Sequence, residues 1–223
     1  MYLSARMVGG MIDHRVPVPS DSSPEPSEPA GQNEPADRPQ SRRYDPDRKL
    51  RIIDACLDVI TDRGVAGTSH RVVAAAADVP LGSMTYHFGG MDDLLHQAFD
   101  QFARRSAARF ATRMRAASTR DEAREAIACH IEQDLLATPR DLNVNLELYT
   151  LAARNPAFRD ITGNWMTAVH AELRRFFDPE TARMLNALIE GLTLHRAFGG
   201  DDAVGASRGI REAIRRISDV RPR

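Results

Sequence analysis

The stretch that decides the fold is residues 67–95, GTSHRVVAAAADVPLGSMTYHFGGMDDLL. Thr68 or Ser69 can cap a first short helix by accepting a hydrogen bond from a free backbone N–H, and the valines and alanines that follow form a compact apolar side. Asp-Val-Pro ends that helix, and Pro80 favours a second helix over about Leu81–His87. Two short helices joined by a tight turn predict a helix-turn-helix.

The second short helix carries more hydrogen-bonding side chains than packing alone requires. In a helix-turn-helix this helix enters the DNA major groove, while the first helix crosses the phosphate backbone. A glycine near its start lets the backbone come close to the duplex. We therefore predict DNA contacts, to bases or phosphates, from Thr68, Ser69, Arg71, Leu81, Gly82, Ser83, Thr85, Tyr86 and His87.

From residue 45 to about residue 100 the chain resembles the DNA-binding domain of the tetracycline-repressor (TetR) family of transcriptional regulators. The resemblance rests on a T-x-R-x-[IV]-A stretch with altered spacing and on a V-x-x-G-x-x-Y-x-x-F block. These fall on Thr68, Arg71, Val73 and Ala74, and on Val79, Gly82, Thr85 and Phe88. Thr85 stands where the family often has an aromatic residue, and Met91 stands where a lysine usually opens the next helix. DNA affinity should therefore lean on Arg71, Tyr86 and His87.

Composition supports helices and excludes several classes of protein. The 223 residues are 42% hydrophobic and 6% aromatic, with little alternating β-branched pattern, which predicts an all-α chain with real cores. A net charge of −1 is too small to coat nucleic acid by bulk electrostatics. Cys56 and Cys129 have no metal-type spacing, which fits a reducing compartment. No apolar run reaches the length of a membrane helix, so we expect no membrane association and a cytoplasmic protein.

One feature of the charge distribution argues against DNA binding. Residues 44–92 contain five Lys or Arg and seven Asp, although five of the acids lie on or beside the first helix and need not face DNA. Together with Met91, this keeps a second interpretation open, in which the chain is a helical dimeric adaptor or sensor with weak or lost DNA binding.

The chain divides into three parts. Residues 1–43 are rich in Pro, Ser, Glu and Asp and predict a disordered tail. Residues 44–91 predict the DNA-binding domain of three helices, of which the first is capped by Asp45 with Pro46 behind it and ends at Gly64. Residues 92–218 predict a helical ligand-binding and dimerisation domain. Its helices are expected from Asp92 or Asp93 to about Arg115, then over Thr119–Ala137, Leu142–Arg154, Pro156–Phe177, Pro179–Phe198 and Ala203–Ser218.

The helix from Pro179 has two apolar stripes and must be buried on two sides. One side can face the core and the other a second subunit. Paired with the last helix, it would make a four-helix interface, which is also where the TetR family dimerises. The predicted interface consists of Met184, Ala187, Gly191, Leu194, Phe198, Ile210 and Ile214.

The resemblance also implies a small-molecule pocket among the central helices. Polar or aromatic residues on apolar faces are the candidates, namely Phe102, His130, Tyr149, Trp165, Val169 and Glu190. Two interpretations of His130 remain open, a core histidine that pairs with Asp134 or a ligand contact. Tyr149 and Trp165 fit a core role equally well.

Catalytic, cofactor and metal motifs are absent from the sequence. It has no H-E-x-x-H, G-x-S-x-G, P-loop or dinucleotide glycine pattern, and its histidines are scattered over separate helices. The sequence therefore predicts no enzyme and no cofactor. It predicts a ligand-responsive transcriptional regulator, a repressor, that binds an inverted-repeat DNA operator as a homodimer and is released by a small-molecule effector.

Overall fold

The structure, a computed structural model, describes residues 45–135, 139–197 and 203–219, without the side chains of 196, 197 and 203–208. The described residues form nine α-helices and no strand, which confirms the all-α fold. They belong to one compact unit. The predicted tail over 1–43 and the predicted interface residue Phe198 lie outside the described residues.

The helices follow one another through short connections. They are α1 (Arg48–Arg63), α2 (His70–Ala76), α3 (Gly82–His87), α4 (Met91–Ala116), α5 (Arg120–His130), α6 (Pro139–Arg154), α7 (Pro156–Leu173), α8 (Pro179–Ala197) and α9 (Ala203–Ser218). A 3-10 turn, Val65–Gly67, joins α1 to α2, and α5 continues as a π-helix over Ile131–Leu135. No helix in this part of the chain is both long and apolar enough to cross a membrane.

The start of α1 differs from the prediction. Asp47 is the N-cap, and Asp45 instead accepts a hydrogen bond from the Asp47 N–H at 3.1 Å and from the Arg48 N–H through its carbonyl at 3.2 Å. Asp45 therefore holds a turn in front of the helix. The end of α1 is as predicted, because Gly64 has φ +67°, a conformation that favours glycine.

Three other helix ends were predicted wrongly. Pro139 opens α6 three residues before the expected start, because proline is tolerated in a first turn, where its missing N–H has no intrahelical partner. Gly90 is the N-cap of α4, while Asp93 turns back to accept the Gly89 N–H at 2.9 Å. Leu173 ends α7, and the chain reaches Phe177 through turns.

The long helix α4 connects the helix-turn-helix to the remaining helices. It packs against α1, α5 and α7. Its apolar face is fully buried at Leu94, Phe99, Phe110 and Met114, within a hydrophobic core that continues from α1 to α9.

Candidate functional site

The turn between α2 and α3 is built by backbone hydrogen bonds that close the end of α2. The Asp78 N–H donates to the Ala75 carbonyl at 3.3 Å and the Val79 N–H donates to the Ala74 carbonyl at 3.0 Å, which is a Schellman arrangement. Asp78 takes φ +50° at the position where glycine is usual. At the other end of α2, Ser69 is the N-cap and accepts the Val72 N–H. The predicted helix-turn-helix is present.

Helix α3 is anchored by one side and exposed on the other. Met84 is fully buried, and Phe88, which follows the helix, is 4% exposed. Tyr86 is 83% exposed, Leu81 is 53% exposed, and Thr85 also faces outward. A Cβ at Gly82 would meet no atom within 4 Å, so the backbone there is open to a close approach. The predicted polar face is therefore exposed, with Ser83 and His87 partly buried at its edges.

The predicted contacts on α2 occupy different surroundings. Arg71 is exposed, and Ser69 is exposed although its hydroxyl serves the cap. Thr68 is only 9% exposed, and its hydroxyl donates to the Gly64 carbonyl at 2.8 Å. We therefore assign Thr68 to holding the connection between α1 and α2, which is a different role from the DNA contact expected from the sequence.

Acidic residues on and before α1 pair with arginines. Asp58 accepts a hydrogen bond from the Arg140 Nε of α6 at 2.6 Å, and Asp54 is paired with Arg105 of α4. Asp45 pairs with Arg51 at 2.7 Å. Two of the three acids within α1, Asp54 and Asp58, thus pair with arginines on helices of the later part of the chain.

Lys49 is a candidate contact that the sequence motifs did not single out. It is exposed near the start of α1, and its Nζ lies 5.7 Å from the centre of the Phe88 ring, directly after α3. Lys49 thus places a positive charge near the end of α3, although Met91 stands where the TetR family usually has a lysine. Only the tertiary arrangement that brings Lys49 beside Phe88 reveals this proximity.

The predicted ligand residues fall into separate groups. Phe102 of α4 and Trp165 of α7 form an edge-to-face pair with ring centres 5.7 Å apart, and both are largely buried, as is Val169 one turn further on. Tyr149 of α6 donates a hydrogen bond from its hydroxyl to Glu190 of α8.

His130 takes part in a buried ion-pair network. Its Nδ1 lies 2.8 Å from Asp134, which also accepts two hydrogen bonds from Arg113 of α4 at 2.7 and 3.0 Å. Burial alone would raise the pKa of Asp134, but the hydrogen bonds from His130 and Arg113 and their charges hold it well below its usual range. His130 and Asp134 therefore form the pair that the core-histidine interpretation expects.

The predicted dimer residues divide between surface and core. Met184 and Leu194 on α8 are 37% and 38% exposed, and Ala187 is exposed between them. A Cβ at Gly191 would meet nothing within 4 Å. These four residues form one apolar stripe, which we call the α8 stripe. Ile210 and Ile214 of α9 are instead buried inside the same protomer.

The described residues offer little for catalysis. Cys56 is fully buried, and burial raises the pKa of its thiol to about 12, so it stays protonated. No group of three or more His, Cys, Asp or Glu in the described ranges is arranged to hold a metal ion.

Two family models match the chain. The model of bacterial regulatory proteins of the tetR family matches residues 52–98, and the model of the tetracyclin repressor-like C-terminal domain matches residues 118–220. The first covers the helix-turn-helix, and the second covers α5 to α9.

Solved structures with similar sequences have the same fold. The transcriptional regulator SCO7518 from Streptomyces coelicolor A3(2) is 48% identical, with 78% of this chain and 100% of that chain covered and a TM-score of 0.71. A TetR family member from Streptomyces coelicolor A3, SCO1917, is 35% identical over 78% and 100% of the two chains, with a TM-score of 0.67. The multidrug binding protein EbrR complexed with imidazole is 38% identical over 82% and 95%, also with a TM-score of 0.67. Other EbrR structures contain ethidium, proflavin or malachite green.

Proposed function

Because the chain belongs to the TetR family of transcriptional regulators, which are DNA-binding proteins and not enzymes, we propose that it is a repressor that grips its operator through α3. It acts as a homodimer, and a small-molecule effector releases it from DNA. Residues 44–91 form the DNA-binding domain and residues 92–218 form the effector and dimerisation domain.

The exposed face of α3 is the observation that carries this proposal. Buried Met84 fixes the orientation of a short helix whose outer side presents a hydroxyl, a phenol and an imidazole at Thr85, Tyr86 and His87. Such groups hydrogen-bond phosphates and base edges, while an apolar side chain such as Leu81 can contact the thymine methyl. Thr68 supports this surface by holding the start of α2.

The charge distribution also favours DNA binding over the adaptor interpretation. Two of the acids that counted against DNA binding, Asp54 and Asp58, pair with Arg105 and Arg140. Exposed Arg71 on α2 and Lys49 near the end of α3 remain to meet phosphates. Local contacts of this kind suit a chain with almost no net charge.

The α8 stripe supports a homodimer. The small residues Ala187 and Gly191 at the centre of the stripe let two copies of α8 approach closely. Ile210 and Ile214 pack α9 against the core of each protomer. A two-fold dimer presents two copies of α3, so the operator is an inverted repeat with half-sites about 34 to 36 Å apart.

An effector site in the later helices fits the buried aromatic and polar residues found there. The Phe102–Trp165 pair and Val169 offer apolar surface, and Tyr149 with Glu190 offers polar groups. The organic ring compounds bound by EbrR support a similar class of effector for this chain. To lower operator affinity about tenfold, the effector needs to favour a dimer with the wrong spacing between its two α3 helices by only about 1.4 kcal/mol.

Two ion pairs connect the effector domain to the DNA-binding domain. Arg105 on α4 and Arg140 on α6 each hold an acid of α1. Movement of either helix therefore shifts α1, against which α2 packs. This supplies a physical connection between ligand binding and the position of α3.

Selection of bound duplexes from a random pool tests the proposed function. We expect an inverted repeat, and its affinity should fall steeply as salt rises, because phosphate contacts release counterions. Lys49→Ala should lessen the slope of log affinity against log salt by about one unit. The matched control Arg104→Ala changes an exposed basic residue on α4 whose ion pair lies within that helix, and it should leave the slope unchanged.

Failure to enrich any duplex, or retention on DNA that is independent of salt, would contradict the repressor proposal and favour the dimeric adaptor. An enriched sequence without two-fold symmetry would contradict the dimeric arrangement while preserving DNA binding.

A further inference from the structure

A hydrogen bond joins α6 to α8 and ends at a carboxylate. The Tyr149 hydroxyl donates to Glu190, and the neighbouring Asn145 side chain lowers the pKa of Tyr149. Asn145 and Tyr149 are four residues apart on α6, as are Asn186 and Glu190 on α8, so each pair shares one face of its helix. The two helices pack against each other. We call these four residues the α6–α8 polar cluster.

Glu190 has no positive partner in the described part of the chain. Burial raises the pKa of its carboxyl, and the hydrogen bond from Tyr149 is the only contact there that opposes the shift. Other shielded acids of the same domain differ. Asp134 is held by Arg113, and Glu172 of α7, whose side chain is 13% exposed, is held by Arg115 and Arg175. A half-buried carboxylate without a countercharge is still costly.

Two acceptors in the α6–α8 polar cluster also lack donors. Asn145 is 3% exposed and Asn186 is 6% exposed, and the side-chain oxygen of each is buried without a hydrogen-bond partner among the described residues. Leaving such an acceptor unsatisfied destabilises the fold, because the oxygen has lost its water partners and gained no donor. The cluster thus combines one uncompensated carboxylate with two unused carbonyl oxygens.

We propose that the α6–α8 polar cluster binds the effector through a cationic group that carries several N–H donors, such as an amidinium or a protonated amine. The positive charge pairs with Glu190, and the N–H groups donate to the oxygens of Asn145 and Asn186. A quaternary ammonium would satisfy only the carboxylate, and a neutral amide only the carbonyl oxygens. This inference rests on the proposed effector-responsive function and names the chemical class of the effector.

Three matched probes separate charge from hydrogen bonding. Benzamidinium has both the charge and the donors, benzamide has the donors without the charge, and phenyltrimethylammonium has the charge without the donors. Binding to the full chain is measured without DNA by calorimetry or ligand-observed NMR. We expect benzamidinium to bind about tenfold more tightly than either analogue, since charge-assisted hydrogen bonds exceed neutral ones.

Two substitutions assign that preference to residues. Glu190→Gln keeps the side-chain shape and should bring benzamidinium down to the affinity of benzamide. Asn145→Leu, or Asn186→Leu if the first variant does not fold, should reduce the difference in affinity between benzamidinium and phenyltrimethylammonium. Glu172→Gln is the control, because it removes a shielded carboxylate that already has arginine partners, and it should leave all three affinities unchanged.

Equal binding of the three probes, absence of benzamidinium binding, or full preference retained in Glu190→Gln would each overturn the inference. Operator affinity measured separately on the same variants distinguishes this failure from failure of the proposed function, because DNA binding through α3 does not require the cluster to hold a cation.

Discussion

At residue level, the turn that orients α3 depends on the backbone of Asp78. This residue has φ +50°, in the left-handed region, and its N–H and that of Val79 close the end of α2. Aspartate tolerates this conformation better than most residues, but glycine adopts it without strain.

Asp78→Gly should therefore stabilise the protein. We expect a gain of about 0.5 to 1 kcal/mol in the free energy of unfolding, because relief of the left-handed strain exceeds the added freedom of the unfolded chain. Asp78→Ala should instead lower it by about 1 kcal/mol, because alanine has no local hydrogen bond to ease the strain. Urea unfolding of both variants checks the result, and a loss of stability in the glycine variant would refute this account of the turn.

Leu81 should read thymine methyl groups. It is 53% exposed at the start of α3, where an apolar side chain in the major groove can contact only the methyl group of thymine. Replacing one contacted thymine by uracil should weaken operator binding about fourfold, the value of one buried methyl group. The same replacement of thymine by uracil should leave the operator affinity of the Leu81→Ala protein unchanged. Uracil scanning of the operator with both proteins measures this, and equal losses in the two proteins would exclude Leu81 as the reader.

The sequence predicted the outward side of α3 from its cluster of hydrogen-bonding side chains, and the structure adds the buried anchor, Met84. It did not predict the burial of Thr68, since a hydroxyl before a helix suits a cap, a phosphate contact or a backbone contact equally well. The position of Lys49 beside Phe88 depends on packing between helices distant in sequence. The sequence around a single residue does not predict a role that depends on packing of this kind.

At the level of elements, the end of α5 combines a change of helix type with a buried charge network. The π-helix Ile131–Leu135 contains Asp134, which connects His130 to Arg113 of α4. π-Helices often mark functional positions in helical proteins. This network fixes the register between α5 and the connecting helix α4.

Asp134→Asn should destabilise the protein at neutral pH by about 2 kcal/mol, the value of hydrogen bonds to charged groups. Because the folded pKa of Asp134 is depressed, its contribution is present above the ordinary value of 3.8 and disappears as the pH falls through the folded value. The difference between the variant and the parent should therefore shrink below about pH 4.

Asp58→Asn is the control for that experiment. Its side chain is 60% exposed, so loss of its pair with Arg140 should cost less than about 1 kcal/mol. Denaturant unfolding of both variants at several pH values measures the difference. Equal losses in the free energy of unfolding would show that the network around Asp134 stabilises the protein no more than an exposed ion pair does.

Helix positions were predictable from Pro and Gly signals, but several ends were not. Pro139 begins α6 three residues before the predicted start, because a proline can follow one helix or open the next and only packing decides where the next helix begins. The π-helix also had no signal, since Ile131 and Leu135 continue the apolar pattern of an ordinary helix.

On the scale of the whole molecule, Asp54 and Asp58 of α1 pair with arginines of α4 and α6, the helices against which α1 packs. The sequence could count these charges but could not identify their partners, because Arg105 and Arg140 lie 51 and 82 residues away from Asp54 and Asp58. Part of the acidic composition, at Asp54 and Asp58, therefore reflects contacts between helices within one protomer.

Gly191→Glu should convert the dimer to a monomer. It inserts a charge in the middle of the α8 stripe, where a Cβ meets nothing within 4 Å in the single protomer. Gly163→Glu is the matched control, since this exposed glycine of α7 has the same open surroundings. Sedimentation should give a monomer for the first variant and a dimer for the second, and a dimeric Gly191→Glu would place the interface elsewhere.

The central claim, that α3 grips the operator, is tested most directly by the operator affinity of Tyr86→Ala, measured by fluorescence anisotropy on a protein shown to be dimeric. We expect a loss of about 1 to 3 kcal/mol in binding free energy, with Tyr86→Phe distinguishing the hydroxyl from the ring and the exposed α7 variant Asn164→Ala unchanged. An operator affinity of Tyr86→Ala equal to that of the parent protein would contradict the account.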